Sequence, residues 1–320
     1  MELLSAVRAR AARSLHISIS PGASLRTALA PLAVTALLTA GCAPPAPSGA
    51  FSAQNSAPAQ ADAGLDRGGA LEWLPNRSGT WLHWSEVSTC VEIVRSIEQI
   101  NRSLYLVEVE EAPHGGLQER WRTCEIELTP VIGQQARVPD ILRESSAPLP
   151  TEGAMIIGNG EALSYVSGPV IELWGVELER PVSEPFITEV DDPRLIDSDG
   201  DGAPAATLLV GSSCELQIAQ RRVTAYQGDF VGPDRIEGRA LSVTEQLVID
   251  ANESLCKTRY RLRSQPSQSR FVRLRVDGAG GALNLDRDQS GEISCAEVEG
   301  LMGELFPPRS VDDQSCNADP

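Results

Sequence analysis

The feature of this chain that most limits its fold is a two-residue alternation of apolar and polar side chains, which begins near Leu71. Alternation of this period places successive side chains on opposite faces of a β-strand. In one segment Val87, Thr89, Val91 and Ile93 share a parity. Comparable β-prone segments are Leu104–Val109, Cys124–Thr129, Ile171–Val176, Thr207–Val210, Glu215–Val223, Arg235–Ile249 and Phe271–Val276.

Clusters of Gly, Pro, Asn and Asp separate these segments and predict turns, as at Pro113–Gly116 and Gly228–Asp229. The segment Ile93–Ile100 fits a helix about as well as a strand. Many short strands joined by polar turns favour a mainly β fold, an antiparallel sandwich or barrel. This β region is either one large domain or two smaller ones, residues 71–190 and 191–276.

The first 41 residues have the pattern of a secretory leader. Basic residues such as Arg8 and Arg13 precede an apolar run, Thr27–Ala40, which is shorter than the roughly 20 residues of a membrane-spanning helix. The run ends in Leu38-Thr39-Ala40-Gly41-Cys42, which resembles the lipobox of bacterial lipoproteins. That resemblance implies cleavage before Cys42, a lipid anchor on its side chain and, because residue 43 is not aspartate, an outer-membrane location in the cell envelope. Residues 42–70 are rich in Ala, Pro and Ser and predict a flexible tether.

The chain has seven cysteines, so at least one of them lies outside any intramolecular disulfide. If Cys42 carries lipid, an even number remains, which predicts disulfides in an oxidising compartment. The simplest of the 15 possible connectivities joins neighbours in sequence, and these pairs are Cys90–Cys124, Cys214–Cys256 and Cys295–Cys316. A zinc site is disfavoured, because no C-x-x-C pair exists and only two histidines follow the leader.

Residues 286–297, DRDQSGEISCAE, contain the most specific motif of the chain. They resemble the EF-hand calcium loop, in which oxygen ligands alternate along a tight turn at glycine. The resemblance implies Ca²⁺ as the cofactor, with Gly291 at the turn and Ile293 as the apolar anchor. The implied ligands at loop positions 1, 3, 5, 7 and 12 are Asp286, Asp288, Ser290, Glu292 through its carbonyl oxygen, and Glu297.

The flanks of this loop depart from the EF-hand family. The outgoing segment Cys295–Phe306 has apolar residues at helical spacing, whereas the incoming segment Gly278–Asn284 is glycine-rich and a poor helix former. No second full-length loop lies nearby in sequence. We therefore expect residues 277–320 to form a small EF-hand-like α segment that binds calcium weakly, in a structural rather than a regulatory role.

A second acidic loop, Asp197-Ser198-Asp199-Gly200-Asp201-Gly202-Ala203, lies in the middle of the chain. Its D-x-D-G-D-G pattern resembles the calcium turns of thrombospondin type 3, dockerin and integrin-like repeats. The resemblance implies Asp197, Asp199, Asp201 and the carbonyl oxygen of Ala203 as ligands. Three aspartates this close together repel one another unless a cation neutralises them.

The formal charge of −17 disfavours binding to nucleic acid, whose phosphates such a surface repels. No G-x-S-x-G motif is present, and neither His83 nor His114 has a catalytic context, so we expect no enzyme activity. The sequence favours a calcium-binding, lipid-anchored envelope protein with a structural or interaction role and a protein or glycan partner. The alternatives are an envelope hydrolase with structural calcium, and a β-sandwich or barrel that binds a small ligand or carbohydrate.

Overall fold

A computed structural model describes residues 77–112, 116–159, 162–253, 256–257 and 260–316, which belong to one compact unit. The predicted leader, the lipobox with Cys42 and the tether lie outside the described residues, as does His114. The prediction of a mainly β fold is confirmed, because the described strands join into one large antiparallel sheet.

Eight strands follow the alternating segments of the sequence, and several of them extend beyond those segments. Ile93–Ile100 does not form a helix, since β1 and β2 make a hairpin that turns at residues 93–95. The strands are β1 (Gly79–Glu92), β2 (Ser96–Glu111), β3 (Gly116–Leu128), β4 (Ala136–Arg137), β5 (Thr151–Asn159), β6 (Ala162–Val166), β7 (Val170–Trp174), β8 (Ala206–Val210), β9 (Cys214–Gly232), β10 (Arg235–Ala251), β11 (Arg261–Ser264) and β12 (Arg270–Arg275). Of these, β4, β5, β6 and β11 were not predicted.

Eight of these strands close into an antiparallel barrel. In chain order they are β1, β2, β3, β5, β6, β9, β10 and β12; each pairs with the next, and β12 pairs with β1. The strands therefore come from both sides of residue 190. The other four extend the wall beyond one end of the barrel, because β11 pairs with the last residues of β1 while β7 and β8 pair with the first half of β9, and β4 pairs with β8.

Gly228 lies inside β9 and not in the turn that the sequence predicts. It pairs with Gly238 of β10, and a Cβ atom at Gly228 would approach the Phe271 ring to 2.9 Å and the carbonyl oxygen of Glu237 to 2.4 Å. Glycine is therefore needed here for close packing of strand against strand. The chain reverses after this point, between β9 and β10.

The inner face of the barrel is an aromatic core. His83 is fully buried among the rings of Tyr226, Trp121 and Phe271, whose centroids lie 4.4, 4.8 and 5.2 Å from its own. Charged residues share this interior: Arg273 donates to Glu119 at 2.7 Å. Burial of these two charges is tolerated because they neutralise each other in a hydrogen-bonded ion pair.

The outer face of β1, β2, β3 and β12 is also buried, because the C-terminal segment covers it. Leu82, Trp84 and Val272 form one cluster with residues that follow the barrel, including Ile293 and Phe306. The Trp84 and Phe306 rings stack with centroids 5.3 Å apart. Two short helices of this layer are α2 (Cys295–Val298) and α3 (Met302–Leu305). The other helical segments of the described residues are also short, and they are α1 (Asp140–Ser145) and 3-10 turns at Pro266–Gln268, Ala279–Gly281 and Asp313–Cys316. Among the described residues, no helix has the length and apolar character needed to cross a membrane.

All six cysteines after Cys42 form disulfides, as predicted, but two of the three predicted pairings are wrong. The bonds are Cys90–Cys316, Cys124–Cys295 and Cys214–Cys256. Cys90 and Cys124 cannot pair, because β2 lies between β1 and β3 and two strand spacings of about 4.8 Å exceed the reach of a disulfide. Instead, both are joined to the C-terminal segment that covers the outer face.

Candidate metal centres

The acidic loop between β7 and β8 brings together the three aspartates that the sequence selects. One carboxylate oxygen from each of Asp197, Asp199 and Asp201 lies within 4.8 Å of the others. The loop closes on Asp197, whose Oδ1 accepts a hydrogen bond from Gly200 N at 2.7 Å and whose Oδ2 accepts one from Gly202 N at 3.0 Å. Both glycines have positive φ angles, 71° and 86°, a conformation that is readily available to glycine.

Asp199 is the unusual member of this loop, because it is only 3 % exposed. Its Oδ2 accepts a hydrogen bond from Thr207 N at 2.7 Å, whereas its buried Oδ1 has no hydrogen-bond partner among the described residues. Burial raises the pKa of Asp199, and the neighbouring Asp201 carboxylate acts in the same direction. A buried carboxylate oxygen without a donor is costly, and a bound cation is one way to satisfy it.

Asp201 and Thr207 complete the arrangement. Asp201 Oδ1 accepts from Ala203 N at 2.7 Å and Oδ2 from Thr207 Oγ1 at 2.6 Å. Thr207 therefore orders two of the three aspartates, a role that the sequence pattern does not reveal. Upstream of the loop, Asp192 forms an ion pair with Arg194 at 2.8 Å.

Hydrogen bonds shift the pKa of Asp197 in the opposite sense to that of Asp199. Desolvation acts to raise it, but the backbone N–H groups of Gly202 and Gly200 outweigh that effect and hold the pKa below its ordinary value. Within one short loop, Asp197 is thus held ionised by backbone donors, while the charge of Asp199 is opposed by burial.

The C-terminal loop brings together three of its predicted ligands. Carboxylate oxygens of Asp286, Asp288 and Glu297 lie within 4.8 Å of one another. Ser290 N donates to Oδ1 of both Asp286 and Asp288 at 2.9 Å, so backbone N–H groups turn these carboxylates toward the loop interior. The side chain of Ser290 donates to the carbonyl oxygen of Glu292 at 2.9 Å, which joins two more predicted ligand positions.

The Glu297 side chain connects the beginning and the end of this loop. Its Oε1 accepts from Arg287 N at 2.7 Å, and its Oε2 accepts from the backbone N and the hydroxyl of Ser294 at 2.8 and 2.9 Å. These bonds, the Ser294 backbone donor first among them, lower the pKa of Glu297 to about 2. The side chain is therefore ionised at neutral pH, in the position from which an EF-hand glutamate binds calcium through both oxygens.

The surroundings of the loop are only partly those of an EF-hand. Gly291 has a positive φ of 87° and Ile293 is buried against the barrel, as expected. The outgoing helix is divided, because the chain turns at Gly300, with φ 79°, between α2 and α3. On the incoming side a β-bridge between Asp277 and Asn284 and a 3-10 turn occupy the place of a helix.

No protein-family model matches this chain, and neither a curated protein nor a solved structure matches it. The assignment of a function to the two loops therefore depends on their geometry and on the chemistry of their oxygen atoms.

Proposed function

We propose that this protein is a calcium-binding, lipid-anchored protein of the bacterial cell envelope, with a structural or interaction role. The observation that carries the proposal is the buried, unpartnered Oδ1 of Asp199, which lies in a cluster of three carboxylates. Apposed carboxylates destabilise a loop unless a cation offsets their repulsion.

The chemistry of both clusters favours calcium over a transition metal. Each cluster consists of carboxylate oxygens, and neither includes histidine or cysteine. Oxygen donors suit hard cations, and calcium accepts six to eight of them in irregular geometry, whereas magnesium requires a near-octahedral arrangement. The cysteines of the described residues are engaged in disulfides, which leaves no thiolate for zinc.

A structural role fits the attachment of the C-terminal loop better than a sensor role. The loop is fixed to the barrel by the Cys124–Cys295 disulfide and by burial of Ile293. Sensor EF-hands open by changing the angle between two helices, and this loop has no incoming helix in the described residues. Calcium would therefore hold the segment in place without exposing a new surface.

The anchor and the location are part of the same proposal. Acylation of Cys42 would place the barrel at the outer membrane on the tether of residues 42–70, and two or more acyl chains suffice for stable anchoring. Another envelope protein or a glycan would be the partner, and Ca²⁺ the cofactor.

Thermal unfolding in 10 mM CaCl₂ and in excess chelator tests calcium binding. For one site with a dissociation constant of about 10⁻⁴–10⁻³ M, mass action gives about 1.4–2.7 kcal/mol of stabilisation in that buffer. For a protein of this size such a gain raises Tm by roughly 3–10 °C. An equal concentration of MgCl₂ should raise Tm less. An unchanged Tm across 0–10 mM calcium would refute the proposal.

Matched variants separate the two loops. Glu297→Gln should reduce the calcium-dependent rise in Tm, whereas Glu292→Gln should leave it unchanged, because the exposed Glu292 side chain is assigned no ligand role. Asp199→Asn should reduce the part of the calcium-dependent rise in Tm that comes from the loop at residues 197–203. Equal effects of the two glutamate variants would show that the C-terminal loop is not the binding site.

Metabolic labelling with a radioactive or clickable fatty acid tests the anchor. The wild-type protein should take up label and fractionate with outer membranes, and the Cys42→Ser protein should do neither. Label that persists in the Cys42→Ser protein would place the acylation elsewhere and contradict the lipobox interpretation.

A further inference from the structure

A pocket of about 650 Å³ opens at the end of the barrel where β4, β7, β8 and β11 extend the wall. Its size is that of sites that bind drug-sized molecules. Its walls come from strands distant in sequence, among them Val87 of β1, Leu216 of β9 and Thr244 of β10. The pocket lies apart from both acidic loops, since none of their aspartates lines it.

The polarity of the wall changes with depth. At the inner end, strand register places Asn101 opposite Val87 and Arg222 opposite Thr244. One step outward, Gln99 lies opposite Thr89 and Gln220 opposite Gln246. Toward the mouth the lining is mainly apolar, and it includes Val91, Ile93, Leu128, Val131, Leu208, Val210, Leu216, Ile218 and Leu262.

The single charged residue of the described lining is neutralised inside the protein. Arg222 is paired with Glu172 through its Nε and Nη2 atoms, and Nη2 also donates to Tyr105 Oη at 2.9 Å. Tyr105 in turn donates to Glu172 at 2.9 Å. Because the pair is neutral overall and largely buried, the inner end attracts neither an anion nor a cation strongly.

Two buried side chains of the polar part of the pocket, Arg222 at the inner end and Gln220 one step outward, have donor groups with no acceptor among the described residues. Nη1 of Arg222 and the side-chain amide of Gln220 donate to no described residue, although Arg222 is 4 % and Gln220 is 7 % exposed. Neither donor group is one of the fully buried side-chain atoms that lack a partner, so both reach the open space of the pocket. A carbonyl or hydroxyl oxygen at the inner end of the pocket would supply the acceptor.

We propose that this pocket binds an uncharged, mainly apolar small molecule, whose carbonyl or hydroxyl oxygen accepts hydrogen bonds from Gln220 and Arg222 while its apolar body extends toward the mouth. A carboxylate ligand would bring an uncompensated charge beside the Glu172–Arg222 pair, and a sugar would leave its hydroxyl groups against the apolar outer wall. The site is independent of the calcium proposal, because it shares no residue with either loop.

Displacement of the neutral fluorescent probe N-phenyl-1-naphthylamine tests the site. The full chain carries Cys42→Ser for this assay, because a protein without acyl chains needs no detergent, and detergent would compete for the probe. The competitors share one chain length: 2-decanone, 1-decanol, decane, decanoate and decylamine. The ketone and the alcohol should displace the probe at concentrations at least tenfold lower than the carboxylate and the amine, and several-fold lower than the alkane. A tighter carboxylate or amine would overturn the proposed ligand class.

Neighbouring residues of β10 provide a matched pair of variants. Thr244→Trp fills the pocket and should abolish probe binding, whereas Val243→Trp adds the same bulk to the outer face, where Val243 is 56 % exposed, and should leave it intact. Gln220→Leu should weaken the ketone about tenfold and the alkane hardly at all. If Thr244→Trp loses its native circular dichroism, the Gln220→Leu comparison decides. Probe binding that both tryptophan variants retain, or equal loss of ketone and alkane, would refute the site.

Discussion

The stability of the barrel should fall as the pH drops below about 6.5, and His83 should cause the fall. Its side chain is fully buried, and neither ring nitrogen has a hydrogen-bond partner among the described residues. Burial lowers the pKa of His83 well below its ordinary value of 6.5, and the nearby Arg273 guanidinium lowers it further. The folded protein therefore keeps His83 neutral at pH values where the unfolded chain takes up a proton.

The size of the effect follows from this difference in bound protons. Well above pH 6.5 both states are neutral at this position, so His83 adds no pH dependence there. Below pH 6.5 the unfolded state binds one proton more, and the free energy of unfolding falls by up to about 1.4 kcal/mol per pH unit. Integrated from pH 7.5 to pH 5 with an unfolded pKa of 6.5, the loss is about 2 kcal/mol.

Urea denaturation at intervals between pH 5 and 7.5, in constant calcium, measures this loss. His83→Phe keeps an aromatic ring against Phe271, with which the imidazole is stacked, and removes the titrating group. Whatever its absolute stability, the variant should lose about 2 kcal/mol less than the wild type over this range. His114→Asn, at the only other histidine after the leader, should keep the wild-type slope. Parallel pH profiles for wild type and His83→Phe would refute the reasoning, because carboxylates affect both proteins alike.

Two further predictions concern the C-terminal layer. Phe306→Ala removes a ring that is 2 % exposed and stacked on Trp84, so urea denaturation should show a loss of about 3–5 kcal/mol in the free energy of unfolding. The control Val311→Ala, at an exposed position, should cost less than about 0.5 kcal/mol. Equal losses would show that the C-terminal layer is not part of the core. The double variant Cys90→Ser/Cys316→Ser removes a disulfide that joins residues 226 positions apart in sequence, and it should lower the free energy of unfolding under non-reducing conditions by about 2–5 kcal/mol. An unchanged urea midpoint would show that the disulfide does not stabilise the fold.

The period-two pattern predicted segments of eight strands but missed β4, β5, β6 and β11, and it did not show which face points inward. In β12, Phe271 and Arg273 point into the barrel, while Val272 points outward and is nevertheless buried. A sequence interpretation would assign the arginine to solvent and the valine to the core. The outcome is different because Glu119 neutralises Arg273 inside the barrel and the C-terminal layer covers Val272, and both partners are far away in sequence.

The same distinction applies to the candidate sites. The aspartates of both loops were selected from local spacing, because turns of this kind are built by neighbouring residues. The burial of Asp199 and its bond to Thr207 were not predictable, since they depend on how β8 packs. The pocket gave no sequence signal at all: Asn101 and Gln220 lie on β2 and β9 and line one space only after the barrel closes.

The closed barrel also offers a physical reason why the C-terminal loop, which we propose binds calcium, would stay ordered with no second loop of its kind beside it in the described residues. In a paired EF-hand, the flanking helices and the partner loop hold the ligands at a fixed separation. In this protein the apolar anchor Ile293 packs into the outer face of the barrel beside Leu82 and Trp84, and the Cys124–Cys295 bond fixes the first residue of α2 to β3. Under the calcium proposal, the barrel would provide the rigid support that the incoming helix and the partner provide in a paired EF-hand. The hydrogen bonds to Glu297 would then hold the last of the proposed ligands in place before a cation binds.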